Sequence, residues 1–364
     1  MGKARTLAEV YRQFGEVDAA GTSSLYERVA VALSESDEAL RAIEAAPARK
    51  RHPTLILAAL HDLALAGRAP ALAAAYATAD GDAAADAAID TLSRMTDSVV
   101  AIAARRRTPT NGSENENGRC AVLYPAIAEA ARRVGAHTVG LIDVGCSTGL
   151  NLQVDRVGIT YGDGLSLGDP SSPVRVSCSV VGDRPVPARA MPEVVARVGI
   201  DPDPVDVTDP DDARWLRACL WPDQPGQPGQ PERVATLEAE IVLVATAPPL
   251  LLRGDAVDVL PDAFAQVPAD ALPVVTTTWA LSRLPLESRL RFLHRLDEAA
   301  AGRAVAWVSA EGVGVAPAIP TLGDRRASGH SIIGLAVFDG AALRAEAVGR
   351  CWSRGRMLTW LADA

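Results

Sequence analysis

Apolar positions in the first third of the chain recur at intervals of three and four, in LYERVAVALSESDEALRAIE (25–44), LILAALHDLALAG (55–67) and AAIDTLSRMTDSVVAIAARRR (87–107). That spacing gathers the apolar side chains on one side of each segment and predicts helices from Leu7 to about Arg107. Ser23 and Ser24 stand at N-cap distance before the first segment, and Pro53 follows His52 where a helix accepts proline in its first turn. His61 falls on an Ala/Leu face, where a satisfied core or rim histidine is a plainer reading than a ligand.

The run TPTNGSENENGRC (108–120) breaks this pattern with Asn, Gly and Ser, and the periodicity changes after it. A boundary near Thr110 follows, with an all-helical N-terminal domain over 1–110 and a second domain over 111–364. Beyond it, short apolar runs alternate with helical ones. VGLIDVG (139–145) has the look of a buried strand, followed by a glycine-containing turn and by LNLQVDRV (150–157), which can be helical. Further strands are expected in VRVSCSVVG (174–182), EVVARVGIDPDPVDV (193–207), LLLRGDAV (250–257), LPVVTTTW (272–279) and RAVAWVSAEG (303–312). Helices are expected in DPDDARWLRACLW (209–221), RVATLEAEIVLVATA (233–247), PDAFAQV (261–267) and LESRLRFLHRLDEAAAG (286–302). QPGQPGQPE (224–232) reads as a loop, and SIIGLAVFDG with LRAEAVGRCWSRGRMLTWL as two closing strands in a hairpin joined near Gly340. The alternation predicts an α/β domain with a mostly parallel sheet and an antiparallel C-terminal hairpin, its ligand beyond the carboxyl ends of the strands.

Charge narrows the partners. Across 364 residues, 36 Lys+Arg face 45 Asp+Glu for a net charge of −9, which disfavours a sequence-independent grip on nucleic-acid phosphate. Lys3 and Lys50 are the only lysines, and both lie in the helical region, so a catalytic lysine is nearly excluded. Aromatic residues make up 4%, too few for the stacking platforms of single-strand binders. Cys120, Cys146, Cys178, Cys219 and Cys351 are scattered, odd in number and without a CxxC, so reduced thiols are expected, with no structural metal. The N-terminal MGKARTLAEVYRQFGEV lacks the apolar core of a secretory signal, and no apolar run reaches the roughly 18 residues of a membrane span. A cytoplasmic protein without membrane or nucleic-acid partners is the expectation.

The richest stretch is Leu141-Ile142-Asp143-Val144-Gly145-Cys146-Ser147-Thr148-Gly149-Leu150-Asn151, where a strand ends in a tight turn before a helical segment. A dinucleotide fingerprint fails here twice, at Ser147 and Leu150, and a P-loop lacks its lysine. A nucleophile elbow, GxSxG, matches letter for letter, with Ser147 as nucleophile, His294 or His330 as base and Asp255 or Asp258 as acid. The all-helical region upstream is hard to reconcile with the strands a hydrolase places before its elbow. The third reading is the S-adenosylmethionine (SAM) turn of a Rossmann-like, class I methyltransferase-type sheet. Asp143 would then hold the ligand's amino group, and Gly145, Ser147, Gly149 and Asn151 would form the cradle. Asp201, after the second strand, would take the ribose hydroxyls, and Asp255, after the third, would face the adenine.

The segments SSLYERVA, HPTLILAALHDLALAG, NENGRCAVLYPAI, LIDVGCSTGLNL, GIDPDPVDVTDPDDARWLRACLWPDQ and GRAVAWVSAEG resemble an uncharacterised bacterial family, domain of unknown function 2332, over nearly the whole chain. The resemblance implies a sheet similar to that of SAM-dependent methyltransferases. By position it places Asn115, Glu116 and Arg119 near the cofactor mouth as substrate-binding residues, and the Pro/Gly repeat as an insertion between Trp221 and Arg233. This chain departs from the family where histidines are usual: Thr277, Thr278 and Trp279 follow the fourth strand, and Ser353-Arg354-Gly355 replace a later His-Gly. Trp279 would then line a substrate pocket.

The resulting expectation is SAM-dependent methyl transfer to a small molecule, with catalytic residues unassigned and Glu116, Glu311 and His330 as candidate bases. The helical domain would act as a cap, lid or homodimer surface. The alternatives are a degenerate methyltransferase fold that binds a ligand or partner without catalysis, and a serine hydrolase using Ser147.

Overall fold

The computed structural model describes residues 5–109, 118–223, 230–340 and 342–362. The helices in chain order are α1 Leu7–Gln13, α2 Ser24–Glu35, α3 Asp37–Glu44, α4 Pro53–Leu65, α5 Pro70–Thr78, α6 Gly81–Arg94, α7 Thr96–Arg105, α8 Arg119–Val134, α9 Pro210–Ala218, α10 Gln230–Thr246, α11 Ala256–Ala265 and α12 Leu286–Ala299. The strands are β1 Thr138–Val144, β2 Gly158–Tyr161, β3 Ser166–Gly168, β4 Arg175–Val180, β5 Glu193–Asp201, β6 Leu250–Arg253, β7 Leu272–Thr278, β8 Val305–Gly312, β9 Ser331–Phe338, β10 Leu343–Trp352 and β11 Met357–Trp360.

The chain forms two compact units, Met1–Asn115 with Val207–Glu238, and Glu116–Asp206 with Ala239–Ala364. Within the helical unit, α2 and α4 begin at the expected positions. Ser23 accepts from the Tyr26 amide at the head of α2, and Pro53 opens α4. Its membership differs from a single cut near Thr110, because 207–238 belongs to it. Trp215, Ala218 and Trp221 lie in the same core as Tyr11, Leu25, Leu33, Leu55 and Leu63. The Trp221 ring sits 5.5 Å from Tyr26 and 5.9 Å from Phe14. Buried Arg106 pairs with Asp212, and Arg214 with Asp62, which fixes α9 by charge as well as by apolar area. His61 behaves as a rim histidine: Nδ1 meets the Ala218 carbonyl at 3.1 Å, and burial lowers its pKa to about 4. Among the described residues, no single helix is long and apolar enough to cross a membrane.

The second unit is built on an eleven-stranded sheet in the order β3-β2-β4-β11-β10-β9-β8-β7-β1-β5-β6. From β8 through β7, β1 and β5 to β6 all pairings are parallel, and β8-β9 and β9-β10 are antiparallel. The expected terminal pair is therefore present as β9 and β10, with Gly340 between them. The last segment is two strands rather than one. A 3-10 turn at Ser353–Gly355, with Arg354 at φ +55°, reverses the chain so that β11 pairs antiparallel to β10 and parallel to β4. β2 and β3 were not anticipated from the sequence, and LNLQVDRV forms a short 3-10 segment, Leu150–Arg156, kinked at Gln153.

Alternation along β1 separates two faces. Ile142 and Val144 join the apolar core with Val275, Phe292, Leu296 and Trp307, on the side of α11 and α12. Asp143 therefore points to the other face, where it meets Asn151 and feels the charge of Arg119 at the head of α8.

Candidate functional site

The chain leaves β1 for β5 and β6 on one side and returns to β7 and β8 on the other, so the strand order reverses between β1 and β7. In open parallel sheets, crevices for ligands form at the carboxyl ends of strands at such a switch point, because the connections diverge there to opposite faces. Asp143 ends β1 on one side of that point, and Thr276, Thr277 and Thr278 end β7 on the other.

The Asp143 carboxylate is wholly buried. Its Oδ1 accepts from Thr276 Oγ1 at 2.5 Å and its Oδ2 from Asn151 Nδ2 at 3.1 Å. Loss of water outweighs these bonds and the nearby Arg119, and pushes its pKa up to about 6. Asn151 and Arg119 both donate to Thr278 Oγ1, at 3.4 and 3.3 Å. The Arg119 guanidinium lies 5.3 Å from the centre of the Trp279 ring. Trp279 has φ +54°, an unusual conformation for a bulky residue, and is held there from both ends. Its amide donates to Ala310 O at 3.1 Å and its indole N–H to Ser331 Oγ at 2.7 Å. Four of the sequence-derived residues, Asp143, Asn151, Arg119 and Trp279, thus meet in one network, with Thr278 joining Asn151 to Arg119 and Thr276 holding Asp143.

The glycine turn forms a second network. Gly145 and Cys146 donate their amides to Ile200 O, Ser147 to Asp201 Oδ2 at 3.2 Å, and Gly149 to Cys146 O. The second Asp201 oxygen accepts from the Asp203 amide at 2.8 Å, and Asp201 is wholly buried. Asp201 therefore clamps the turn to β5, and those four turn amides are spent inside the fold. Gly149 is required sterically: at φ +78°, a Cβ would lie 2.6 Å from Cγ of Pro249. Ser147 itself adopts φ +51°, the strained state expected at an elbow.

The other residues named from sequence lie apart. Asp255 is the exposed N-cap of α11, accepting from the Val257 amide at 2.9 Å. Asn115 and Glu116 lie outside the described residues. Glu311 Oε1 accepts from the amides of Ala280 and Leu281, both at 3.0 Å, and so pins the turn after Trp279. Its Oε2 is buried without a partner, and burial raises its pKa to about 7. His294 pairs with Glu298 on the exposed side of α12. His330 Nε2 bonds Asp324, which also takes Arg350. Neither histidine hydrogen-bonds Ser147, and Asp255 serves its helix. Of the two family departures, Thr277 accepts from the Trp307 indole in the core, while Ser353–Gly355 packs on the head of α8 through Gly118.

The family model described as Uncharacterized protein conserved in bacteria (DUF2332) matches residues 8–360. The chain belongs to that family. The matched span takes in nearly all of both units and the whole switch-point site. No curated protein matches the chain.

One buried acid was not named from the sequence. Glu240 on α10 is 4% exposed, and Oε1 has no hydrogen-bond partner. Burial raises its pKa to about 8. It lies on the helix stripe of Leu237, Ile241 and Val244, so a helical reading of LEAEIVLVATA already marks an acid on an apolar face. Among the described residues, no group of three or more His, Cys, Asp or Glu side chains is arranged to hold a metal ion.

Proposed function

We propose that this protein binds S-adenosylmethionine at the switch point and is a methyltransferase-like enzyme acting on a small molecule. The observation that carries the reading is the strand order β6-β5-β1-β7-β8, with a buried carboxylate and a glycine turn at the end of its first strand and an antiparallel strand beyond β8. That is the arrangement in which a Rossmann-like methyltransferase sheet puts its cofactor, and the acidic surroundings suit a cation.

The residues fit the cofactor unevenly. Asp143 suits the ammonium group at its amino-acid end, with Asn151 and Thr278 beside it as polar partners. Asp201 does not suit the ribose, since both its oxygens already accept backbone amides. When bound, the cofactor supplies an electrophilic methyl group on a sulfonium. The chain's own part is to orient and exclude water: the Arg119–Trp279 stack, fixed by Thr278 and Ser331, gives a rigid wall at the mouth. Rate in such a transfer comes chiefly from holding the acceptor at near-attack distance.

Calorimetric titration of the full chain with SAM and with its demethylated product tests this reading. Heat with either ligand that is lost in Asp143→Asn supports it, and no heat with either overturns it. The commitment of Asp201 and the turn amides favours a second reading, a methyltransferase-like fold that binds without catalysis. SAM binding with no methylated product across a broad acceptor panel would favour that second reading.

A further inference from the structure

Glu240 is held where a carboxylate has no reason to stay without a partner. The end of α10 lies along the 3-10 segment that follows the glycine turn. Arg156 donates to Leu243 O at 3.4 Å and to Thr246 Oγ1 at 2.9 Å, and Gln153 to Ala247 O at 2.8 Å. Pro249, just beyond, abuts Gly149. This seats Glu240 a turn before these contacts, beside the head of α8. There the Cys120 thiol is pushed up by burial, then by Glu240 and by Asp143, with Arg119 opposing and Asp155 adding. The charged groups that act on Cys120 or bond the end of α10 are already engaged: Arg119 with Thr278, Arg156 with Gln153 and α10, and Asp155 with Arg197. None of them forms an ion pair with Glu240.

A buried carboxylate without a partner is costly in either protonation state. It must be neutralised by a proton or paired with a cation. We propose that Glu240 is the anionic half of a cation subsite, receiving a positively charged organic group, ammonium or sulfonium, of the molecule bound at the carboxyl end of β1. The inference rests on the ligand site proposed above and adds the charge of what binds there. With no cation present, the carboxyl keeps its proton at neutral pH. When the cation arrives, the O–H bond breaks, the proton leaves to solvent, and carboxylate and cation balance.

The test is calorimetry on the full chain at pH 7, wild type and Glu240→Gln, with four probes: SAM, its demethylated product, n-butylammonium and neutral n-butanol. Each titration is repeated in two buffers of different ionisation enthalpy, which counts released protons. The expected result is release of up to about one proton per cation bound by wild type, and at least a tenfold weaker affinity in Glu240→Gln. Loss confined to SAM identifies the sulfonium, equal loss for SAM and product identifies their shared amino group, and loss for butylammonium alone identifies an acceptor amine. Cation binding without proton release in wild type overturns the inference even if the variant fails to fold, and so does equal affinity in the two proteins. SAM binding with neither effect leaves the methyltransferase reading standing without this subsite. Butylammonium binding with proton release, and no SAM binding, leaves the subsite standing without that reading. If no cation binds at all, both fall.

Discussion

Replacing Glu240 by glutamine should make the sheet unit more stable as pH rises, with no ligand present. An unfolded glutamate titrates near 4.5, whereas burial raises Glu240 to about 8 in the folded chain. Between those values the folded state holds one proton more than the unfolded state, so this group's contribution to stability is full below pH 4.5 and is lost as pH climbs through 8. Each pH unit in that window is worth about 1.4 kcal/mol, so the loss amounts to about 5 kcal/mol at most. Glutamine has nearly the shape of the protonated acid and does not titrate. The two proteins should therefore match at pH 5, diverge steadily through pH 7 and run parallel above pH 8 with the variant ahead. Urea midpoints from pH 5 to 9, followed by amide exchange in peptides spanning Thr138–Val144 and Leu272–Thr278, report on this unit separately from the helical one. Superimposable pH profiles would refute the reasoning, because they would mean that water or a partner reaches the carboxylate.

Three further substitutions probe the two networks. Asp201→Asn keeps one acceptor but turns an N–H toward the Ser147 or Asp203 amide, and should cost about 1–3 kcal/mol in thermal denaturation. Thr278→Val removes the acceptor shared by Arg119 and Asn151; about 1–2 kcal/mol of destabilisation and a shift in tryptophan emission from Trp279 are expected. Gly149→Ala forces a side chain into φ +78° and against a stiff proline ring, for a loss of about 2–3 kcal/mol in urea unfolding.

Much of the frame was legible because its signals are local. The apolar run VGLIDVG reads as a buried strand, and the turn after it places its glycines at positive φ, which both Gly145 and Gly149 adopt. The segments that escaped depend on distant partners. GITYGDGLSLG is too short and too rich in glycine to declare β2 and β3, which form only because β4 offers β2 an edge. In LRAEAVGRCWSRGRMLTWL the apolar alternation continues through the bend, and nothing local shows that Arg354 takes a left-handed conformation. The α9 segment reads as a helix, yet its assignment to the helical unit follows from Trp215 joining that unit's core and from Trp221 finding Tyr26 and Phe14, about two hundred residues earlier.

The acids show why a site is harder to read than a sheet. Asp143 and Asp201 end neighbouring parallel strands, and both are wholly buried. In sequence each is an aspartate at the end of an apolar run. The register decides their roles, because Val144 lies opposite Ile200 and the turn after β1 therefore crosses the end of β5. Asp201 is thereby presented with the backbone amides of Ser147 and Asp203, which cannot turn away without undoing the loop. Asp143 meets only side chains, the Thr276 hydroxyl and the Asn151 amide, and both of these can rotate to a new partner. An arriving ammonium group can take their place at Asp143 with little rearrangement, while at Asp201 it would have to break the glycine turn. By the same reasoning Glu240, whose Oε1 has no donor to give up, is the cheapest carboxylate of the three for a cation to reach.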